Sequence, residues 1–211
     1  DWSSDVCSSD LAMVGGIVMN NASGMNCGTH ANSDKELLSA KIVLADGTRL
    51  NTGDPESRMT FEKNHTPFLN KIIEIRDEIR NDNELSDRIR KKYSIKNVTG
   101  LNLLPFVIYD DPFDIIAHLM VGSEGTLAFL SEVTMKTEHD YPYSASAMLY
   151  FSNIKDACRA VVAMKPGPVF SAELLDKKSL ASVNDTTGTG LTAVLTETTA
   201  DTPEALQPNI E

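Results

Sequence analysis

The sequence has little of what several classes of protein require. Its three cysteines in 211 residues are too few, and odd in number, for a disulfide framework. Its 12 glycines and 9 prolines are far fewer than a collagen-like or low-complexity chain contains. No apolar run reaches the roughly 18 residues that indicate a transmembrane helix. Lysine and arginine total 19 against 30 aspartates and glutamates, and this acidic balance argues against a nucleic-acid partner.

Residues 1–11, DWSSDVCSSDL, are unusual for the start of a natural protein. They contain neither an initiating methionine nor the basic and apolar regions of a signal peptide. A back-translation of residues 1–10 resembles a common short-read sequencing adapter read in frame. We interpret residues 1–11 as an adapter translation, and the alternative is a natural linker rich in serine and aspartate. Removing its three aspartates changes the formal net charge from −11 to −8, and we expect the native chain to extend beyond both ends.

The first half of the remaining chain gives three local predictions. Residues 12–30 are rich in glycine and asparagine, a composition that disfavours both a helix and a simple strand. Residues 39–50, SAKIVLADGTRL, predict a β-hairpin whose Asp46-Gly47 dipeptide suits a type I′ turn. Apolar residues then recur at helical spacing from Pro67 to Tyr93, with a break at residues 81–83. We assign about residues 55–92 to an inserted pair of helices on the surface.

The second half alternates between helix and strand patterns. Asp111-Pro112 predicts a capped helix start, Gly122 can end that helix, and GTLAFLSEVTMKT predicts a strand covered on both faces. From Tyr143 onward, strand and helix patterns alternate three times. This order predicts a small α/β or ferredoxin-like module over residues 143–211, with a boundary near residues 138–144.

The common catalytic signatures are missing from the sequence. It contains no phosphate-binding GxxxxGK[ST], no HExxH, no GxSxG and no CxxC. The four histidines are scattered, so we assign no catalytic residue and no metal ligand. Two segments remain unexplained by composition: GGIVMNNASGMNCG at 15–28 and GSEGTLAFLSEVTMK at 122–136. Glycine permits close approach of a ligand, and successive backbone N–H groups can bind an anion.

In their order and spacing, four motifs resemble the FAD-linked oxidase family, which has the vanillyl-alcohol-oxidase type of flavoprotein fold. They are GG-x4-NA-S-G, KIVLADG, KN-x2-G-x-N-L and GSEGTL-x-FLSEVTMK. The nearest branch by motif is the D-lactate dehydrogenase and glycolate oxidase group. The resemblance implies an α+β fold: the C-terminal part of a PCMH-type FAD-binding domain over residues 12–140, followed by the start of a ferredoxin-like cap domain over 143–211, which SAELLD indicates.

The resemblance assigns two groups of residues to FAD. The first group, near the pyrophosphate and ribityl chain, consists of Gly15, Gly16, Asn21, Ala22, Ser23, Gly24 and Gly28. The second group borders the flavin and consists of Gly122, Ser123, Gly125, Thr126 and the backbone of Phe129. Ser23 and Ala128 stand where the family often has glycine.

The resemblance also implies an activity. The family oxidises a 2-hydroxy acid of the D-lactate, glycolate or D-2-hydroxyglutarate type to the 2-oxo acid, by hydride transfer to flavin N5. Electrons then pass to iron–sulfur centres, a quinone or a cytochrome; iron–sulfur clusters would belong to a part beyond residue 211. The catalytic base and carboxylate clamp are also expected there, so residues 12–211 should be inactive and bind FAD weakly.

Two alternatives to this activity stay open. One is a transferase similar to alkyl-glycerone-phosphate synthase, which also uses FAD but catalyses no net oxidation. The other is a non-catalytic module on the same scaffold. The sequence predicts no transmembrane segment, and we expect the protein in the cytoplasm or bound peripherally at the inner face of the membrane.

Overall fold

The computed structural model describes residues 13–22, 24, 31–95, 100–182 and 191–210. These residues form two compact units: the first contains the described residues up to 137 except Gly24, and the second contains Gly24 and the described residues from 138 onward. Strands of the first unit form an antiparallel sheet in the order β2-β1-β3. Its elements are α1 (Val14–Asn20), α2 (Ser33–Glu36), β1 (Leu37–Val43), β2 (Arg49–Asn51), α3 (Pro55–Asn81), α4 (Asn83–Lys92), α5 (Leu104–Ile108), α6 (Pro112–Leu119) and β3 (Phe129–Met135).

The hairpin between β1 and β2 is present, but its turn is not type I′. A type I′ turn needs positive φ at both central residues, and here Gly47 has φ +85° while Asp46 does not have positive φ. The N–H of Gly47 donates to the Leu44 carbonyl at 2.9 Å, and the N–H of Leu44 donates to the Thr48 carbonyl at 2.8 Å. The Asp46 carboxylate stabilises this longer loop by accepting the N–H of Thr48. The predicted turn type is therefore wrong.

Helix α3 begins twelve residues earlier than the apolar spacing predicts. Asp54 caps it by accepting the N–H of Ser57, and Pro55 occupies the first helical position, where a missing N–H costs nothing. Pro67 lies inside the helix and is accommodated by a kink at His65, whose φ is −131°. The predicted break is observed at Asp82, which caps α4.

The helical pair contributes to the core of the first unit, so its interpretation as a surface addition is wrong. Its stripe of apolar side chains packs with residues of α5 and α6, because the helical spacing places them on one face. The buried members of this stripe are Phe61, Leu69, Ile72, Ile79 and Ile89. Three arginines of α3 also join this helix to neighbouring segments. Arg58 binds groups of Thr52, Asp111 and Asp114. Arg76 and Arg80 bind groups within residues 106–110.

Strand β3 is covered on one face only, in contrast to the prediction of a strand covered on both faces. It lies at the edge of the sheet, and Leu130 is its buried residue. The side chain of Phe129 is 68% exposed, although its backbone pairs with Val43 of β1.

The second unit is also a mixture of helices and an antiparallel sheet. Its elements are β4 (Tyr143–Phe151), α7 (Ile154–Met164), β5 (Ser171–Leu175), α8 (Lys177–Ser182), β6 (Thr192–Ala200) and α9 (Pro203–Ile210). The order β4-β6-β5 places the antiparallel β6 between two strands that run parallel to each other, which is a split βαβ arrangement. The mixed composition of the units agrees with the predicted α+β class. Among the described residues, no helix is both long and apolar enough to cross a membrane.

Candidate functional site

Helix α1 lies where composition predicted neither a helix nor a simple strand. That prediction is wrong, because Gly15 lets the helix lie directly against the edge strand β3. A Cβ on Gly15 would be 2.9 Å from the carbonyl oxygen of Leu130, closer than side chains tolerate. The neighbouring Gly16 is exposed and has open space at its Cβ position. The packing of α1 on β3 therefore explains one of the two glycines.

Asn21 ends α1 in the left-handed conformation, with φ +53°. Its N–H donates to the carbonyl of Val18 at 2.9 Å, and the N–H of Ala22 donates to that of Ile17 at 3.0 Å. Asparagine tolerates this conformation better than most residues. The Asn21 side chain is buried, with the residue 3% exposed, and its Oδ1 has no hydrogen-bond partner among the described residues.

The loop of residues 122–126 follows α6 and is held in an uncommon backbone shape. Gly122, Glu124 and Gly125 all have positive φ, at +82°, +52° and +75°. Ser123 is 1% exposed, and its carbonyl accepts both the N–H and the hydroxyl of Thr126, at 2.9 and 2.6 Å. The Ser123 hydroxyl itself has no hydrogen-bond partner in the described part of the chain.

The end of α1 and this loop meet, although about a hundred residues separate them in the sequence. The N–H of Glu124 donates to the carbonyl of Met19 at 3.0 Å. The side-chain amide of Asn20 donates to the Glu124 carboxylate at 2.8 Å. The two glycine-containing motifs thus form one site.

The junction leaves two buried polar atoms to be satisfied, Oδ1 of Asn21 and Oγ of Ser123. A buried polar atom without a partner costs about 1–3 kcal/mol, so such atoms in native proteins commonly bind water or a ligand. A cofactor with several hydroxyl and phosphate groups fits this donor and acceptor set. The residues present therefore fit FAD.

The structure describes most of the other predicted FAD contacts. Four of them are exposed: Ala22, Gly24, Gly125 and Thr126. The hydroxyl of Thr126 donates a hydrogen bond to the Ser123 carbonyl. The backbone of Phe129 belongs to the β1–β3 ladder. Ser23 and Gly28 lie outside the described residues.

Sequence reasoning did not identify Asn20 and Glu124, which join the two motifs. Glu124 lies between two glycines in GSEGT and adopts a conformation usual for glycine, but only the fold shows its partner. Within the described residues, no three histidines, cysteines or acidic residues are grouped so that they could hold a metal ion.

A pair of rings, the buried His118 and the partly buried Tyr109, precedes the loop in the sequence. His118, in the last turn of α6, donates from Nδ1 to the Asp114 carbonyl at 2.8 Å, which leaves Nε2 to accept the Tyr109 hydroxyl at 3.0 Å. Burial lowers the pKa of His118 and outweighs the opposing effects of the Asp114 carbonyl and of the Asp114 and Asp34 charges. Burial, followed by the same two charges, raises the pKa of Tyr109. The pair is therefore a neutral imidazole and a neutral phenol near pH 7.

The lowered pKa of His118 predicts a pH-dependent stability. The unfolded chain binds more protons than the folded chain between the two pKa values, so acid favours unfolding. This contribution is complete above about pH 6.5, the usual value for histidine, and is lost as the pH falls through the folded value. We expect the wild-type free energy of unfolding to decrease from about pH 7.5 to 5.5, a range above ordinary carboxylate titration. His118→Gln should show a smaller decrease in urea titrations, and an unchanged slope would contradict this assignment.

Comparisons with known proteins support an FAD-binding domain in this chain. Residues 3–53 match the family model of an FAD binding domain. A stretch of 79 residues is 33% identical to the mitochondrial D-lactate dehydrogenase (cytochrome) of Arabidopsis thaliana and covers 36% of this chain and 14% of that protein. The family match includes residues 3–11, whose interpretation as an adapter translation stays a prediction. Together, the two matches support an FAD-linked oxidase family of the PCMH type, although the aligned stretch spans only 14% of that relative.

Proposed function

We propose that this chain is part of an FAD-dependent oxidoreductase that converts a small 2-hydroxy acid to the 2-oxo acid. The observation that carries the proposal is the junction of α1 with the 122–126 loop, where buried Asn21 and Ser123 side-chain atoms lack protein partners among the described residues. The relative is named as a D-lactate dehydrogenase, which supports a 2-hydroxy acid as the substrate class. When bound, the flavin supplies the two-electron acceptor for this oxidation.

In this proposal the chain binds and orients the cofactor. Asn21 Oδ1 accepts a hydroxyl of the cofactor, and the Ser123 hydroxyl donates to or accepts from a neighbouring polar group. Gly122 and Gly125 hold the loop in the shape that brings its backbone to the site. The remaining proposed contacts are Gly15, Gly16, Ala22, Ser23, Gly24, Gly28, Thr126 and the Phe129 backbone.

The other parts of the proposal concern the whole protein. Residues 12–140 would belong to the FAD-binding domain, and residues 143–211 to the start of the cap domain on the substrate side. The electron acceptor would be a quinone, a cytochrome or an iron–sulfur domain. The split βαβ arrangement of the second unit supports a ferredoxin-like cap.

Ser123→Ala tests the proposed cofactor contact. The Ser123 hydroxyl has no described protein partner, so its removal should leave the stability of the flavin-free protein unchanged or slightly higher. A hydrogen bond of about 1 kcal/mol to the cofactor would be lost, so FAD affinity should fall by about fivefold. Ser131→Ala is the matched control, because the Ser131 hydroxyl donates to the Lys41 carbonyl on the exposed side of β3.

The measurement requires the open reading frame restored from the DNA that flanks this sequence. The encoded protein is reconstituted with FAD and titrated by flavin fluorescence, and flavin bleaching is followed with D-lactate, glycolate and D-2-hydroxyglutarate. A protein that takes up no flavin would exclude the proposed function. Flavin uptake without bleaching by any of the three acids would retain FAD and exclude this substrate class.

A further inference from the structure

His118 and Tyr109 form the ring pair described above, and neither residue belongs to the proposed set of cofactor contacts. The ring centroids are 4.2 Å apart, and both nitrogens of the imidazole are engaged. We propose that this pair positions the 122–126 loop, by fixing the last turn of α6 from which the loop departs. The inference rests on the proposed function of that loop as a cofactor contact.

The connection from the ring pair to the loop is short and closely packed. The carbonyl of His118 accepts the N–H of Val121 at 3.2 Å, and that of Met120 accepts the N–H of Ser123 at 3.2 Å. Met120, Val121 and Ser123 are all almost fully buried. Since packed interiors have little free volume, a displacement of His118 is passed on to Ser123.

The imidazole is held from several elements at once. Tyr109, which follows α5, and Asp114, one turn earlier on α6, bind its two nitrogens. The Asp34 charge on α2 acts on it only at a distance. Arg58 of α3 binds Asp114 at 3.2 Å and Asp111 at 2.7 Å, which fixes the start of the same helix. The N-terminal end of α6 is therefore tied to α3, and its C-terminal end depends on the His118–Tyr109 bond.

The loop has a conformation that requires such support. Glu124 is a non-glycine residue at φ +52°, a left-handed conformation that is unfavourable for residues with a side chain. Strain of this kind persists only where neighbouring contacts over-determine the backbone. The two contacts from α1 hold Glu124 on one side, and the ring pair holds the other end of the loop through Val121.

Hydrogen exchange on the flavin-free 211-residue chain tests this role. Tyr109→Phe removes only the hydroxyl, and we expect amide exchange over residues 120–126 to rise by about fivefold, as for a lost hydrogen bond of about 1 kcal/mol. Tyr93→Phe is the matched control, because the Tyr93 hydroxyl also binds one group, the Leu101 carbonyl at 3.0 Å. Exchange in β1 reports the stability of the whole unit. A purely structural role would raise exchange in β1 and in the loop equally, and that result would overturn the proposal.

A second variant keeps the test decisive if Tyr109→Phe does not fold. His118→Asn retains a donor for the Asp114 carbonyl and removes the acceptor for Tyr109, so it should give the same rise in loop exchange. The double variant should add nothing further, because both changes break one bond. Additive effects, or a loop unaffected in either variant, would refute the pairing. These measurements contain no flavin, so their failure is distinguishable from a failure of the protein to bind FAD.

Discussion

Replacement of Gly122 by alanine is expected to destabilise the first unit by about 3 kcal/mol, the sum of backbone strain and a steric clash. Gly122 has φ +82°, a conformation that costs other residues about 1–2 kcal/mol. A Cβ there would also lie 2.8 Å from the carbonyl oxygen of Gly100. That neighbour is backbone, so no side-chain rotation can relieve the contact.

Gly125→Ala separates the two contributions. Gly125 has a similar φ of +75°, but nothing lies within 4 Å of its Cβ position. We therefore expect a loss of about 1–2 kcal/mol, from backbone strain only. Urea unfolding of the two variants and the wild type gives the comparison. Equal losses would show that the approach to Gly100 does not constrain the loop.

The second large effect is expected at Phe61 of α3. Phe61 is 2% exposed, and its ring lies edge-on to that of Phe113 with centroids 6.2 Å apart. Phe61→Ala should lower the free energy of unfolding by about 3–5 kcal/mol, because it removes a buried aromatic ring and leaves a cavity. A loss of that size is a large share of the total stability of an ordinary domain.

Met59→Ala is the control for this prediction. Met59 lies on the same helix and is 64% exposed, so its truncation should change the stability by about 0.5 kcal/mol or less. Urea unfolding followed by far-ultraviolet circular dichroism measures both variants. If Phe61→Ala is no more harmful than Met59→Ala, the helical pair is peripheral, as first predicted from the sequence.

The sequence predicted those features of the fold that depend on local chemistry. The break between α3 and α4 follows from residues 81–83, where Asp82 caps the second helix. The start of α6 follows from Asp111-Pro112, since Asp111 accepts the N–H of Phe113 at 2.8 Å. Both are signals read within a few residues of the element they begin.

Features that depend on distant residues were not predicted. Helix α1 forms in a glycine-rich segment because Gly15 packs against Leu130, more than a hundred residues away in the sequence. The hydrogen bond from Asn20 to Glu124 likewise joins the end of α1 to the 122–126 loop, and no local pattern indicates their proximity. For the candidate site, the resemblance predicted Asn21 and Ser123 as FAD contacts. It did not predict that each of them leaves a buried polar atom without a partner among the described residues.

The central position of β6 determines the order in which the second unit can form. In the first unit, β1 and β2 are neighbours in the sequence and can pair as soon as both are synthesised. In the second unit, β4 and β5 each pair with β6 among the described strands, and β6 is the last of the three to leave the ribosome. Residues 143–175 must therefore wait, with their strand edges unpaired, until residues 192–200 emerge. Because such non-local pairing is slow, the strand edges of β4 and β5 stay open to other chains while the second unit is being made.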